Sequence, residues 1–257
     1  YLDQMTSGLQ KSDLIILAAR PAMGKTAFAL SLALNAAVKG KASVMVFSME
    51  MAKEQLGQRL LSMESKVPMQ SLKTGKLERR DWDDINIALD ILSKANIHID
   101  DTAGINIMEM KSKCRRLKAE EGLDLIVIDY LQLMNPEGKA DSRTQEISVI
   151  SRNLKLLAKE LNCPVLVLSQ LSRAPETRTD HRPMLSDLRE SGSIEQDADI
   201  VIFLYRDEYY NEDSEAHGEC EVIVAKQRSG PTGTVKITWL DKLTKFVDSM
   251  GSSGPGF

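Results

Sequence analysis

The sequence predicts a mostly parallel β-sheet flanked by helices and finished by an antiparallel β-ribbon. Three observations carry that prediction. Short runs that are apolar at nearly every position recur along the chain, as strands covered on both faces read. Helical patterns lie between them, which is the alternation of a sheet with right-handed crossovers. Near the C-terminus the pattern changes to strand, turn, strand, with Gly230, Pro231 and Gly233 supplying the turn.

In chain order the expected strands are LIILA (14–18), SVMVFS (43–48), NIHID (96–100), LIVID (Leu125–Asp129), VLVLS (165–169) and DIVIFLY (199–205). Helical segments are expected at 26–38, 52–62, 78–94, 107–121 and Arg143–Leu161. The ribbon is read from ECEVIVAKQR (219–228) and TVKITWL (234–240), with KFVD (Lys245–Asp248) as a further short strand. The stretch 172–193 has little periodicity and reads as a long loop, which in a compact domain is functional or mobile. No linker interrupts 9–248, so one domain over 1–250 is expected, with GSSGPGF (251–257) as a flexible tail.

Bulk properties set limits. The 257 residues, 42% hydrophobic, suffice for one sizeable core. With 33 basic and 37 acidic residues the net charge is −4, so the chain lacks the overall basic signature of a nucleic-acid binder, although one groove can still be basic. No apolar run approaches the roughly 20 residues of a membrane helix. The opening YLDQMTSGLQ has no secretory pattern. Cys114, Cys163 and Cys220 are scattered and odd in number, which suggests free thiols in the reducing cytoplasm. His98, His181 and His217 are equally dispersed, and no zinc site is expected.

The chemistry starts at LIILAARPAMGKTAFAL. The phosphate-loop pattern G-x-x-x-x-G-K-[ST] falls on the window 19–26, with Ala19 in place of the first Gly. Backbone N–H groups of Ala22, Met23, Gly24, Lys25, Thr26 and Ala27 can face phosphates, aided by the positive end of the following helix. Lys25 would reach the terminal phosphates of ATP, and Thr26 would offer its hydroxyl to Mg²⁺. Ala19 reads as the weak point, because it must take a conformation that Gly takes more cheaply. A bare GKT is also an ordinary helix start; the preceding apolar strand favours the nucleotide.

Ligands of open α/β sheets sit at the C-terminal ends of strands. Asp129 ends LIVID and suits Mg²⁺, mostly through water. Glu50 follows VMVFSM and is the candidate general base, though it could serve simply as a first-turn Glu. Gln170 ends VLVLSQ and is placed to sense the γ-phosphate or to cap the strand. The basic cluster KSKCRRLK (111–118) reads as a solvated helix face. Trp82, Trp239 and most of the 12 Met read as packing residues, and Tyr130 as packed or near the nucleotide.

ARPAMGKT, FSMEM, VIDYLQLM, VLSQLSR, SDLRESGSIEQDADIVIFLYRDE and KQRSGPTGTV, in this order, together resemble the motor domain of bacterial replicative DNA helicases of the DnaB type. The resemblance spans nearly all of 9–248 and implies a RecA-like P-loop NTPase core. Ala at the first Gly position is usual in that family. The resemblance implies an ATP-driven, Mg²⁺-dependent translocase on single-stranded DNA that works as a homo-hexameric ring. It implies that Lys25 and Thr26 are the phosphate-loop pair, Glu50 the catalytic glutamate, Asp129 the metal-side aspartate and Gln170 the link between nucleotide state and DNA loops. It further implies that Lys226 and Arg228 reach a neighbouring subunit's nucleotide, and that Arg189, Glu190 and Gly192 grip DNA phosphates. The stretch 172–193 offers no aromatic residue to stack a base, so such a grip carries no base sequence information. Family members also carry an N-terminal domain and a linker helix, which this chain does not include, and work with a primase and a helicase loader. Two other readings remain at this level: a RecA-like strand-exchange recombinase, and a nucleotide-gated binding module without turnover.

Overall fold

Nine strands in the order β3-β2-β4-β5-β1-β6-β7-β8-β9 form one sheet among the described residues, 2–134, 142–188 and 192–249 of the computed structural model. The strands are β1 (Leu14–Ala19), β2 (Val44–Ser48), β3 (Ile97–Asp100), β4 (Leu125–Asp129), β5 (Val165–Gln170), β6 (Ile200–Tyr205), β7 (Glu219–Gln227), β8 (Gly233–Leu240) and β9 (Lys245–Asp248). The first six pair in parallel, and β6 to β9 pair antiparallel. The expected core and ribbon are both present. The expected tail, together with Arg189 and Glu190, lies outside the described residues.

Helices cover both faces: α1 (Leu2–Thr6), α2 (Lys25–Val38), α3 (Lys53–Ser65), α4 (Met69–Thr74), α5 (Arg79–Ser93), α6 (Ile107–Glu120), α7 (Arg143–Leu161), α8 (Ala174–Thr177) and α9 (Gly192–Asp197). Side chains alternate across a strand, and β1 shows the consequence. Leu14, Ile16 and Ala18 enter a core with Met110 of α6, Leu154 of α7 and Ile194 of α9. Ile15, Leu17 and Ala19 enter a second core with Phe28 of α2, Leu56 of α3 and Phe246 of β9. Burial on both sides is why the parallel strands read as unbroken apolar runs. The ribbon alternates instead: β7 buries Cys220, Val222 and Val224 and leaves the residues between them half-buried.

Three expectations need correction. The stretch 172–193 is not all loop, because α8, a 3-10 turn at Leu185–Asp187 and the start of α9 fall within it. Their brevity hides them from a periodicity reading. Trp82 is not a packing residue: it is 55% exposed in the first turn of α5, one turn before the buried positions Ile85 and Ala88. Ala19 carries no strain, since it ends β1 in register with Gln170 of β5. The left-handed backbone falls instead at Ala22, φ 65°, and at Gly24, φ 93°.

The basic cluster on α6 is partly a solvated face, with Arg115, Arg116 and Lys118 exposed, and partly engaged within the fold. Lys111 and Arg115 both pair with Glu160 of α7, and Lys113 pairs with Asp100 at 2.6 Å. The three cysteines are free and buried, and burial pushes each thiol up to about 12. That makes them packing groups rather than reactive thiolates. No helix of the described residues is long and apolar enough to cross a membrane.

Candidate functional site: a phosphate-binding cavity at the strand ends

The register of the sheet assembles the site. Ala19 of β1 pairs with Gln170 of β5, and Ser48 of β2 pairs with Asp129 of β4. Four strands therefore end at one edge, and the residues after them meet there. A cavity of about 360 Å³ opens at this edge, lined by Arg20, Pro21, Ala22, Gly24, Lys25, Thr26, Ala27, Glu50, Arg59, Tyr130, Gln170, Trp239 and Thr244. Most of the expected nucleotide residues are in that wall. Met23 differs: its side chain is buried in the core, so only its backbone is left for a ligand.

The phosphate loop is shaped by Gly24. This residue caps α2 in the left-handed region, and the Phe28 N–H donates to its carbonyl at 2.8 Å to start the helix. A Cβ here would lie 2.9 Å from Phe246 Cζ, so Gly is required by packing as well as by φ. The first N–H groups of a helix lack intrahelical partners, and those of α2 belong to residues that line the cavity. Phe246 is fixed in turn, with its N–H donating to Ser31 Oγ of α2 at 3.2 Å.

Thr26 Oγ1 donates to Asp129 Oδ2 at 2.6 Å. Asp129 is 2% exposed, and its other oxygen, Oδ1, is buried without a hydrogen-bond partner. Burial raises the Asp129 carboxyl above its ordinary range, and Glu50 adds to this; the Thr26 hydrogen bond and the Lys25 charge oppose it. Burial lowers the Lys25 ammonium, against the pull of Asp129 and Glu50. Lys25 Nζ also lies 5.1 Å from the centre of the Tyr130 ring. The edge thus holds a desolvated cation, a desolvated carboxylate with a free oxygen, and a hydroxyl whose lone pairs remain available. Such a set fits Mg²⁺, which Thr26 and Asp129 would hold beside a phosphate group.

Glu50 is exposed on a turn that the strand ends hold in place. The Met49 N–H donates to the Asp129 carbonyl at 2.9 Å, and Ser48 Oγ donates to the Met51 carbonyl at 2.7 Å. Gln170 is exposed at the end of β5, and Gln132 braces it: Gln132 Nε2 donates to Ser169 Oγ at 3.0 Å.

Four residues of this site escaped the sequence reading. Arg59 reaches the cavity from α3, where burial lowers its guanidinium against the charges of Asp129 and Glu50. Its signal was an Arg beside Leu60 on a helix whose buried face is Leu56, Leu60 and Met63. Arg20 falls on a variable position of the phosphate-loop pattern, which assigns it no role. Trp239 and Thr244 come from the ribbon; Trp239 packs on Phe246 at 4.5 Å between centroids and also lines the cavity. Thr244 Oγ1 is buried there without a partner.

Lys226 and Arg228 are not among the residues lining this cavity. Lys226 Nζ donates to the carbonyls of Glu195 and Ala198, the latter at 2.9 Å. Arg228 Nη2 donates to the Gln196 carbonyl at 2.6 Å, and its Nε lies 3.6 Å from Asp199 Oδ1. Both cations thus cap the C-terminal end of α9, where a helix carries partial negative charge. Arg228 is half-exposed. Gly192, expected at the DNA grip, opens α9 and is exposed.

Comparison with known proteins gives the family and the fold. The family model described as the DnaB-like helicase C-terminal domain matches residues 1–248. The replicative DNA helicase DnaB of Geobacillus stearothermophilus is 56% identical over 248 residues, covering 96% of this chain and 55% of that protein. The replicative DNA helicase DnaC of Bacillus subtilis strain 168 is 55% identical over 248 residues, with the same coverage of 96% and 55%. The chain thus spans about half the length of these relatives. Among solved structures, the ATPase domain of G40P superposes with a TM-score of 0.94 at 45% identity, covering 97% of this chain and 89% of that one. A DnaB-like replicative helicase, solved with its interactions with primase as the subject, also gives 0.94 at 45% identity, covering 97% of this chain and 60% of that one.

Proposed function

This chain belongs to the DnaB-like helicase C-terminal domain family, and from that premise we propose that it is the ATP-hydrolysing motor of a replicative DNA helicase. The observation that supports this most is the meeting of Lys25, Thr26, Glu50 and Gln170 in one cavity, with Asp129 hydrogen-bonded behind Thr26.

The phosphates of ATP lie against the N–H groups of 22–27, at the positive end of α2. Lys25 sets its ammonium against the terminal phosphates, whose charge replaces the solvation that burial removed. Thr26 and Asp129 would hold Mg²⁺, which when bound neutralises charge on the phosphate oxygens. Glu50 takes a proton from the attacking water at the open mouth of the cavity. Arg59 adds a second cation to the wall. Gln170, braced by Gln132, reports the state of the γ-phosphate to the chain that follows β5.

Lys226 and Arg228 act on the nucleotide of a neighbouring subunit in a hexameric ring. The half-exposed Arg228 leaves the α9 carbonyl and enters the adjacent cavity, where it stabilises charge on the transferring phosphoryl group. Arg189, Glu190 and Gly192 contact the phosphates of single-stranded DNA, which allows translocation without reading sequence. Primase and a helicase loader are the expected partners of the whole protein, in the cytoplasm.

Mass measurement of the chain alone, with Mg²⁺-ATP, and with Mg²⁺-ATP plus a single-stranded oligonucleotide tests this directly. The expected result is a ring that retains both ligands. A monomer that retains neither contradicts the reading.

A further inference from the structure

Arg20 stands where the nucleotide cavity meets the segment leading away from β5. Its backbone closes the phosphate-loop turn, because the Met23 N–H donates to its carbonyl at 3.4 Å. Its side chain lines the cavity and is only 11% exposed. Nη1 donates to the Leu171 carbonyl at 2.8 Å, while Nε and Nη2 donate to Glu176 Oε1 at 3.0 and 2.6 Å. A planar guanidinium held on two anchors has a fixed orientation.

The two anchors differ in what they can transmit. Leu171 continues the sheet ladder, its N–H donating to the Ala19 carbonyl at 3.3 Å, so it moves with β1. Glu176 lies outside the sheet on α8, within a segment that is braced as a unit. Arg178 donates to both oxygens of the buried Asp187, at 2.8 and 2.5 Å. The Ser172 N–H donates to the Asp187 carbonyl at 3.1 Å, and the Met184 N–H to Asp187 Oδ2 at 2.8 Å. Leu188, at the far end, is buried in the core. Arg182 ties the middle of the segment to Glu221 of β7, Nη1 and Nη2 donating to its two carboxylate oxygens. A displacement at the far end of 172–188 therefore reaches Glu176 through ion pairs and hydrogen bonds, and reaches the phosphate loop through Arg20.

We propose that the Arg20–Glu176 pair is a linkage by which bound single-stranded DNA adjusts the phosphate loop, so that Glu176 is a positioning residue for DNA-stimulated hydrolysis. This rests on the motor reading above. Glu176 does not line the nucleotide cavity and is half-exposed, and Arg20 keeps the Leu171 carbonyl as a partner when Glu176 is replaced. Losing the pair uncouples without unfolding.

The test is steady-state ATP hydrolysis by this chain with and without an oligo-dT single strand, comparing Glu176→Gln and Glu176→Asp with the unaltered protein. In Glu176→Gln the ratio of stimulated to basal rate falls about fivefold, the effect of one charge-assisted contact. Basal kcat, the KM for ATP and the melting temperature stay unchanged. Glu176→Asp keeps the charge and recovers part of the stimulation. An unchanged ratio in Glu176→Gln, or a parallel fall of basal and stimulated rates, overturns the linkage and leaves the motor reading standing. Glu176→Asp carries the same test alone if the Gln variant loses its melting transition: a reduced ratio at unchanged basal rate supports the linkage, and an unchanged ratio overturns it. Absence of any stimulation in the unaltered chain is a different result, since it removes the motor reading and the linkage with it.

Discussion

The ends of β1, β2, β4 and β5 and the region from 172 onward through the ribbon hold their charges in opposite ways. At the strand ends Lys25, Arg59 and Glu50 face one cavity, and Asp129, buried behind Thr26, keeps an oxygen without a partner. Beyond them the cations are engaged internally: Arg178 on Asp187, Arg182 on Glu221, Lys226 and Arg228 on the carbonyls closing α9. The first region is ready for a ligand within one chain. The second must give up internal contacts before it can act on anything else. On the proposed reading, binding is then a property of the single chain, and turnover a property of the assembly.

The largest effect that would sharpen this contrast is on turnover. Arg228→Ala is expected to lower the hydrolysis rate of the assembled protein by about 10³–10⁵-fold, the scale of a cation supplied in trans. Glu50→Gln is expected to lower it by about 10²–10⁴-fold, the scale of a lost general base. Both variants should bind ATP normally in an equilibrium titration. Mixed together they form some interfaces with an intact Glu50 facing an intact Arg228, so activity should partly return. No return in mixtures whose co-assembly is verified by mass would place Arg228 within its own chain's chemistry and erase the contrast.

A smaller effect tests the strand-end region. The Asp129 carboxyl is raised by burial, so the folded chain holds that proton more tightly than the unfolded chain does. Its charge at neutral pH therefore lowers stability, and the loss is recovered as pH falls through the raised folded value. Asp129→Asn removes that charge and keeps an acceptor for Thr26. Its melting temperature without ligands at neutral pH should equal or exceed that of the unaltered chain, by roughly 2–4 °C for each kcal/mol relieved. The gain should shrink in acid, and Mg²⁺-dependent hydrolysis should be lost. A marked fall in melting temperature would mean that Asp129 is there for the fold rather than for a ligand.

Strand ends were legible in the sequence for a physical reason. A strand buried on both faces admits almost no polar residue, so the first carboxylate or amide after an apolar run marks the sheet edge. Asp129, Glu50 and Gln170 are found that way, and the register brings Glu50 and Gln170 to the cavity and Asp129 behind Thr26 in its wall. Residues that arrive from a distant element leave no such mark. Trp239 and Thr244 reach the cavity because β9 folds back onto α2, where the Phe246 ring lies 5.6 Å from that of Phe28. Nothing local to Trp239 separates a packed ring from a ring that also faces a ligand. The strain at Ala22 in place of Ala19 was hidden for a similar reason. The motif marks a glycine position, but only the backbone reveals that β1 runs one residue further than the expected 14–18. The ion pairs that engage Arg178 and Arg182 lie in a stretch of mixed charge, where composition cannot assign partners.

The central claim is that the turn at 22–26 and Lys25 hold the phosphates of ATP. Titration of the chain with a fluorescent ATP analogue in the presence of Mg²⁺, beside Lys25→Ala, tests it most directly. The account predicts saturable binding by the unaltered chain and loss of at least about 100-fold in affinity in the variant, as for removal of a buried charge-assisted contact. Equal affinity in the two proteins, with both folded, would contradict it.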